Sequence, residues 1–163
     1  MYNRDMSFTD DFDQLTNSLA ELVANCWERR WRERPEACFG HRLRRSHIVE
    51  LADLELFEDA DDAEAITAEQ ARAVRRVDLF VEGLEGRGTA ARDALLVVGI
   101  SVGIESGDID RAGQRAAILR GLGYNAYGVV AGNRITEATR RYAAEQNVEV
   151  ASEIPKAYEE LPA

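Results

Sequence analysis

Lysine is almost missing from this chain. Of 20 basic residues, 19 are arginine and one, Lys156, is lysine. Arginine is effectively never deprotonated, so it cannot act as a general base; chemistry that needs a lysine has a single candidate. Cysteine is scarce too. Cys26 and Cys38 show no metal-ligand spacing, and reduced thiols in a cytoplasm are the simplest reading. No apolar run approaches ~18 residues, the length of a membrane span. The opening stretch, MYNRDMSFTDDFDQ, is acidic and has no apolar segment, so no secretory signal is expected. Proline and glycine, at 3 and 12 residues, exclude a collagenous chain.

What is present suits one globular domain. The 163 residues are 45% hydrophobic and 31% charged, and a chain of this length needs no disulfide or metal staple. The formal net charge of -10 argues against indiscriminate nucleic-acid binding over the whole surface. Its distribution is uneven. Residues 28–47 hold seven arginines and three acids, and residues 72–141 hold eleven arginines and eight acids. Between them, residues 48–71 hold nine acids and no base. Intrachain pairing on solvated faces is the plainer account of the basic zones. The sharper one is a phosphate-facing patch built from Arg29, Arg30, Arg42, Arg44 and Arg45.

Apolar periodicity organises the chain. Phe12, Leu15, Leu19, Leu22, Val23, Cys26 and Trp27 recur at three- and four-residue steps, which predicts an amphipathic helix. Asp10 or Asp11 is its expected N-cap and Pro35 its stop. Residues 36–50 fit either a short helix or a strand, and residues 51–64 are weakly helical. Thr67-Ala-Glu-Gln70 has the pattern of a capping box. From Val77 the period becomes two, predicting a strand. The apolar run Ala94–Val102 predicts a strand buried on both faces, paired with the first as a hairpin. A helix capped by Asp108, a strand over 124–131, a helix over 135–146 and a strand over 148–151 follow. Ser152 and Pro155 open a last short helix. Strand–helix–strand crossovers of this length imply parallel neighbours with helices against the sheet. The whole is expected to be a single domain over 1–163, with a helical part at about 10–76 and a sheet core at about 77–151.

Several segments together carry a family resemblance. An N-terminal helix contains Glu28-Arg-Arg-Trp-Arg-Glu-Arg, followed by Phe39-Gly40. Asp78 opens the first hairpin strand, and Val97-Val-Gly-Ile-Ser101 lies on the second. Asp108-Ile-Asp-Arg-Ala-Gly-Gln-Arg-Ala-Ala-Ile-Leu119 comes next, then a strand ending Val-Val-Ala-Gly at 129–132. Over about residues 19–151 the chain resembles the PD-(D/E)XK nuclease-like superfamily, and within it a group of uncharacterised prokaryotic proteins. The resemblance implies a restriction-endonuclease-like fold: three α/β/α layers, a mixed central sheet and a long N-terminal helix. It also implies a site at which an Asp and a Glu on neighbouring strands hold Mg²⁺, which activates a water against a phosphodiester. A Lys two residues after the Glu, on the same strand face, assists.

Against that pattern the sequence keeps Asp78 but has Gly99 at the Glu position and Ser101 at the Lys position. Glycine carries no ligand atom, and a hydroxyl does not replace an ammonium. Asp78, with Glu28 as a helper, would form at most a weak metal site, so no cofactor is expected unless the protein is active. The expected function is a nuclease fold with a dismantled active site, kept for DNA or RNA binding or for assembly. Arg111 and Arg115 join the candidate phosphate contacts. Two alternatives stand beside it: a structural or protein-interaction module, and an active Mg²⁺-dependent nuclease with a rearranged site. Each singled-out residue also has a plainer role. Asp78 would cap or pair with Arg111 or Arg115, Glu28 would pair with Arg32, and Arg111 would pair with Asp108. Trp31 is a candidate interface anchor, and a homodimer through the N-terminal helix is the expected assembly.

Overall fold

The computed structural model describes residues 5–152, so the expected C-terminal helix and Lys156 lie outside the described residues. Helix α1 (Asp5–Glu33) leads into the short α2 (Pro35–Phe39), where Pro35 occupies the first helical turn. Its missing N–H costs little there. Residues 36–50 turn out to be both of their alternatives, since strand β1 (Arg44–Val49) follows α2. The acidic stretch forms α3 (Glu55–Asp62), and α4 (Ala68–Arg75) opens with the expected reciprocal box between Thr67 and Gln70. The hairpin strands are β2 (Leu79–Glu85) and β3 (Arg92–Ile100). Then come β4 (Gly103–Ile104), α5 (Ser106–Gly121), β5 (Ala126–Ala131), β6 (Arg134–Ile135), α6 (Glu137–Glu145) and β7 (Glu149–Ala151).

Five strands form one mixed sheet in the order β1-β2-β3-β5-β7. The first three are antiparallel, and β5 and β7 continue parallel to β3. The small parallel pair of β4 with β6 stands apart and has no counterpart in the sequence reading. Side-chain alternation along the strands fills both faces. Leu79, Val81, Leu96, Val98 and Val129 meet Trp27, Trp31 and Phe39 from α1 and α2. Phe80, Leu95 and Val97 meet Phe57, Ala71, Val74, Ala116 and Leu119 from α3, α4 and α5. Val130 meets Ile109 and Ala112 of α5 and Ala143 of α6. Helices therefore cover both faces of the sheet. Gly128 lets α5 lie close on β5, because a Cβ there would come within 2.8 Å of the Ala112 carbonyl oxygen.

Three expectations need correction. Helix α1 is helical from Asp5, so neither Asp10 nor Asp11 caps it. Helix α5 is capped by Glu105, and Asp108 is the third residue of the resulting box, its carboxylate accepting the Glu105 N–H at 2.9 Å. Trp31 is 2% exposed and packs in the core beside Trp27, so it cannot anchor an interface. The exposed apolar residues of α1 lie further toward its start. Among the described residues, no helix is long and apolar enough to cross a membrane.

Candidate functional site

Asp78 immediately precedes β2, and its backbone and side chain together finish the β2–β3 ladder. Its N–H donates to the Val98 carbonyl at 3.2 Å, and its Oδ2 accepts the Ile100 N–H at 2.7 Å. The carboxylate thus takes the place of a missing strand carbonyl, a capping role. Alternation places Asp78 on the same sheet face as Phe80, and Gly99 on the face of Val97, the side covered by α5. Asp78 is partly buried, and burial pushes its carboxyl above the ordinary range. The charge of Glu28 adds to the rise, while the Ile100 N–H, Arg115 and Arg32 oppose it.

Asp78, Gly99 and Ile100 line an open cleft of about 230 Å³ together with Arg76, Asp108, Arg111 and Arg115. Arg76 comes from the end of α4, and the other two arginines come from successive turns of α5. A second hollow adjoins it, lined by Glu69, Arg72, Arg76, Arg111, Gln114 and Arg115. Asp108 is occupied by Arg111 and by the helix cap. Among the described residues, neither Arg76 nor Arg115 makes a side-chain hydrogen bond or ion pair. Burial lowers Arg115 from its ordinary range, and the like charges of Arg111 and Arg76 lower it further, against the pull of Asp78. The cleft crowds three guanidinium groups around two engaged carboxylates, Asp78 and Asp108, and leaves Arg76 and Arg115 open to an anion.

The position of Gly99 is open. A Cβ built there meets nothing within 4 Å, and the backbone is outside the left-handed region. Neither space nor conformation calls for glycine. Ser101 does not line the cleft; its hydroxyl donates to the Gly103 carbonyl at 2.9 Å. Glu28 lies outside the cleft as well, its Oε1 accepting from Arg32 at 3.1 Å. Arg32 also donates to the Asp78 carbonyl at 3.0 Å, so Glu28 approaches Asp78 only behind a guanidinium. Among the described residues, no group of three or more His, Cys, Asp or Glu side chains could hold a metal ion. The donors present do not fit the Mg²⁺ that the resemblance implies.

The seven arginines suggested by the sequence are not brought together. Arg111 and Arg115 line the cleft. Arg29 pairs with Glu33 on the surface of α1, where Arg30 also lies, and Arg45 sits exposed at a left-handed backbone position with φ 55°. Arg44 donates to the Gly86 carbonyl. Arg42 reaches Glu85 at 2.7 Å and Glu149 at 2.6 Å and lies over the Tyr127 ring, 4.4 Å from its centre. Glu85 in turn accepts from Arg92, Asn125 and Tyr127. Arg42 above all, with these other donors, holds the Glu85 carboxyl down to about 2. This knot ties β2, β3, β5 and β7 at the end of the hairpin away from Asp78. The residue the sequence reading missed is Arg76. Its signal was its position two residues before Asp78, at the end of a helix that the capping box had already located. No family model, no curated protein and no solved structure matches the chain.

Proposed function

We propose that the chain is a PD-(D/E)XK-like nuclease fold whose catalytic motif has been dismantled, and that it binds nucleic acid without cutting it. The observation that carries this reading is the composition of the cleft at Asp78. The place where a second carboxylate would stand is an unfilled, unstrained Gly99, and the surrounding charge comes from Arg76, Arg111 and Arg115. A backbone phosphate would satisfy the unpaired Arg76 and Arg115 and relieve the like-charge crowding at Arg115. Asp78 survives in a structural capacity, as acceptor for the Ile100 N–H.

The test is fluorescence anisotropy with labelled single- and double-stranded DNA and RNA oligonucleotides over a salt series. Binding by the full chain should weaken steeply with salt. The double variant Arg76→Ala/Arg115→Ala should bind at least about tenfold more weakly, the scale of losing charged hydrogen bonds. Its salt slope should fall by roughly two. Binding that this variant leaves unchanged would overturn the proposal. So would no binding of any oligonucleotide at low salt, which would favour a protein-interaction module instead.

A further inference from the structure

The first half of α1 turns its apolar residues to solvent, and they follow a strict rule. Phe8, Phe12, Leu15, Leu19 and Leu22 are 57–78% exposed, and Cys26, the next in the series, is exposed as well. Their spacing is four, three, four, three, four. That is the 3.5-residue repeat of a coiled-coil seam, with Phe12, Leu19 and Cys26 at a and Phe8, Leu15 and Leu22 at d. It differs from the broader stripe of a helix lying on its own domain. A second apolar face turns onto the sheet, beginning at the partly buried Val23 and continuing through the buried Trp27 and Trp31.

We propose that this seam pairs with the same seam of a second copy of the chain, as an antiparallel two-helix coiled coil. Three observations select that occupant. The positions flanking the seam, Thr9, Asp11, Thr16, Ser18, Val23 and Asn25, carry one charge among six. Two identical copies therefore do not repel along it, and no charge code specifies a different partner. The acids Asp10, Asp11 and Asp13 lie toward one end of α1, and Arg29, Arg30, Arg32 and Arg34, outnumbering Glu28 and Glu33, with which Arg32 and Arg29 pair, lie at or just past the other. Antiparallel pairing sets each acidic end toward the arginine-richer end of the other copy. Parallel pairing would set like against like and bring the two Arg29 residues together at the next seam position. Finally, the antiparallel layers set each phenylalanine against a smaller residue, Phe8 with Cys26 and Phe12 with Leu22, around a central Leu15–Leu19 layer. Ten large apolar side chains, four of them phenylalanines at about 150–250 Å² each when fully buried, bring the contact to the ~1,000 Å² a specific interface needs.

Sedimentation equilibrium of the full chain should return twice the monomer mass, and Leu15→Glu/Leu19→Glu should return the monomer mass while keeping the unfolding transition of the sheet body. For orientation, Phe8→Cys under mild oxidation should form a covalent dimer with the native Cys26 of the other copy, a link that Phe8→Cys/Cys26→Ser loses. The wild type should form none through Cys26. A monomer at every concentration would overturn the proposal, as would a dimer that survives the double glutamate variant or a ready Cys26–Cys26 disulfide in the wild type. None of these outcomes depends on the cleft at Asp78.

Discussion

At Asp78 a residue that the sequence marks for chemistry does the work of a backbone carbonyl. Its carboxylate accepts the Ile100 N–H beyond the last paired residues of the hairpin, and burial raises its pKa above the ordinary 3.8. The folded state therefore holds a proton more tightly than the unfolded chain. Asp78's contribution to stability is largest below pH 3.8 and declines as pH rises through the raised folded value. Asn keeps the acceptor and drops the charge, so Asp78→Asn should match or exceed the wild type in a urea melt at about pH 7. Asp78→Ala leaves the Ile100 N–H unpaired and should lose about 1–3 kcal/mol. A large loss for Asn as well would show that the charge itself is needed there. The contrast with Gly99 is informative. Gly128 is held to glycine by the carbonyl of Ala112, whereas nothing in the fold holds position 99 to glycine. Asp78 and Gly99 were singled out in the sequence through the positions that the family resemblance assigns to an Asp and a Glu on neighbouring strands. Arg76 was missed although it stands two residues before Asp78, because it reaches the cleft from another helix and that approach depends on packing.

At the scale of elements, the strongest local patterns were the most legible. The period-two run and the continuous apolar run marked the hairpin, and the Thr67–Gln70 box marked the start of α4. The start of α5 was misplaced by three residues: Asp108 is the residue type that suits a cap, but it sits at the third position of the box that Glu105 opens. Helix α1 was legible as a helix but not in its burial, since one series of three- and four-residue steps ran the exposed positions from Phe12 to Cys26 together with Val23 and Trp27, which face the sheet. The knot around Glu85 was invisible, because Arg42, Glu85, Arg92, Tyr127 and Glu149 are far apart in sequence. It joins four strands, and its acid sensitivity follows from the depressed carboxyl. With the folded value at about 2 against an ordinary 4.5, the stabilisation is complete above pH 4.5 and fades as pH falls from there toward 2. Glu85→Gln should lower the thermal midpoint at about pH 7 and flatten its fall between those limits. An acid profile as steep as that of the wild type would rule out Glu85 as a source of the sensitivity.

For the molecule as a whole, charge is the organising quantity. A chain of net charge -10 keeps most of its arginines in intrachain work: Arg32 with Glu28 and Glu50, Arg42 with Glu85 and Glu149, Arg75 with Asp61. The clustering in sequence suggested a patch at 29–45, but folding spreads those residues over α1, β1 and the far end of the hairpin. Of the described arginines left without such partners, Arg72, Arg76 and Arg115 gather between α4 and α5, above the carboxyl end of β3, while Arg34, Arg45, Arg87 and Arg134 lie exposed elsewhere. The result is a cleft in which Arg76 and Arg115 stand open beside Asp78, and the proposed function makes it a seat for a backbone phosphate. Its most direct test is a single sample: a labelled duplex incubated with excess full-length protein and millimolar Mg²⁺ at low salt, read first for retention by anisotropy and then for length on a denaturing gel. A dismantled site predicts a retained duplex of full length. A shortened duplex, with cleavage abolished by Asp78→Ala, would contradict it.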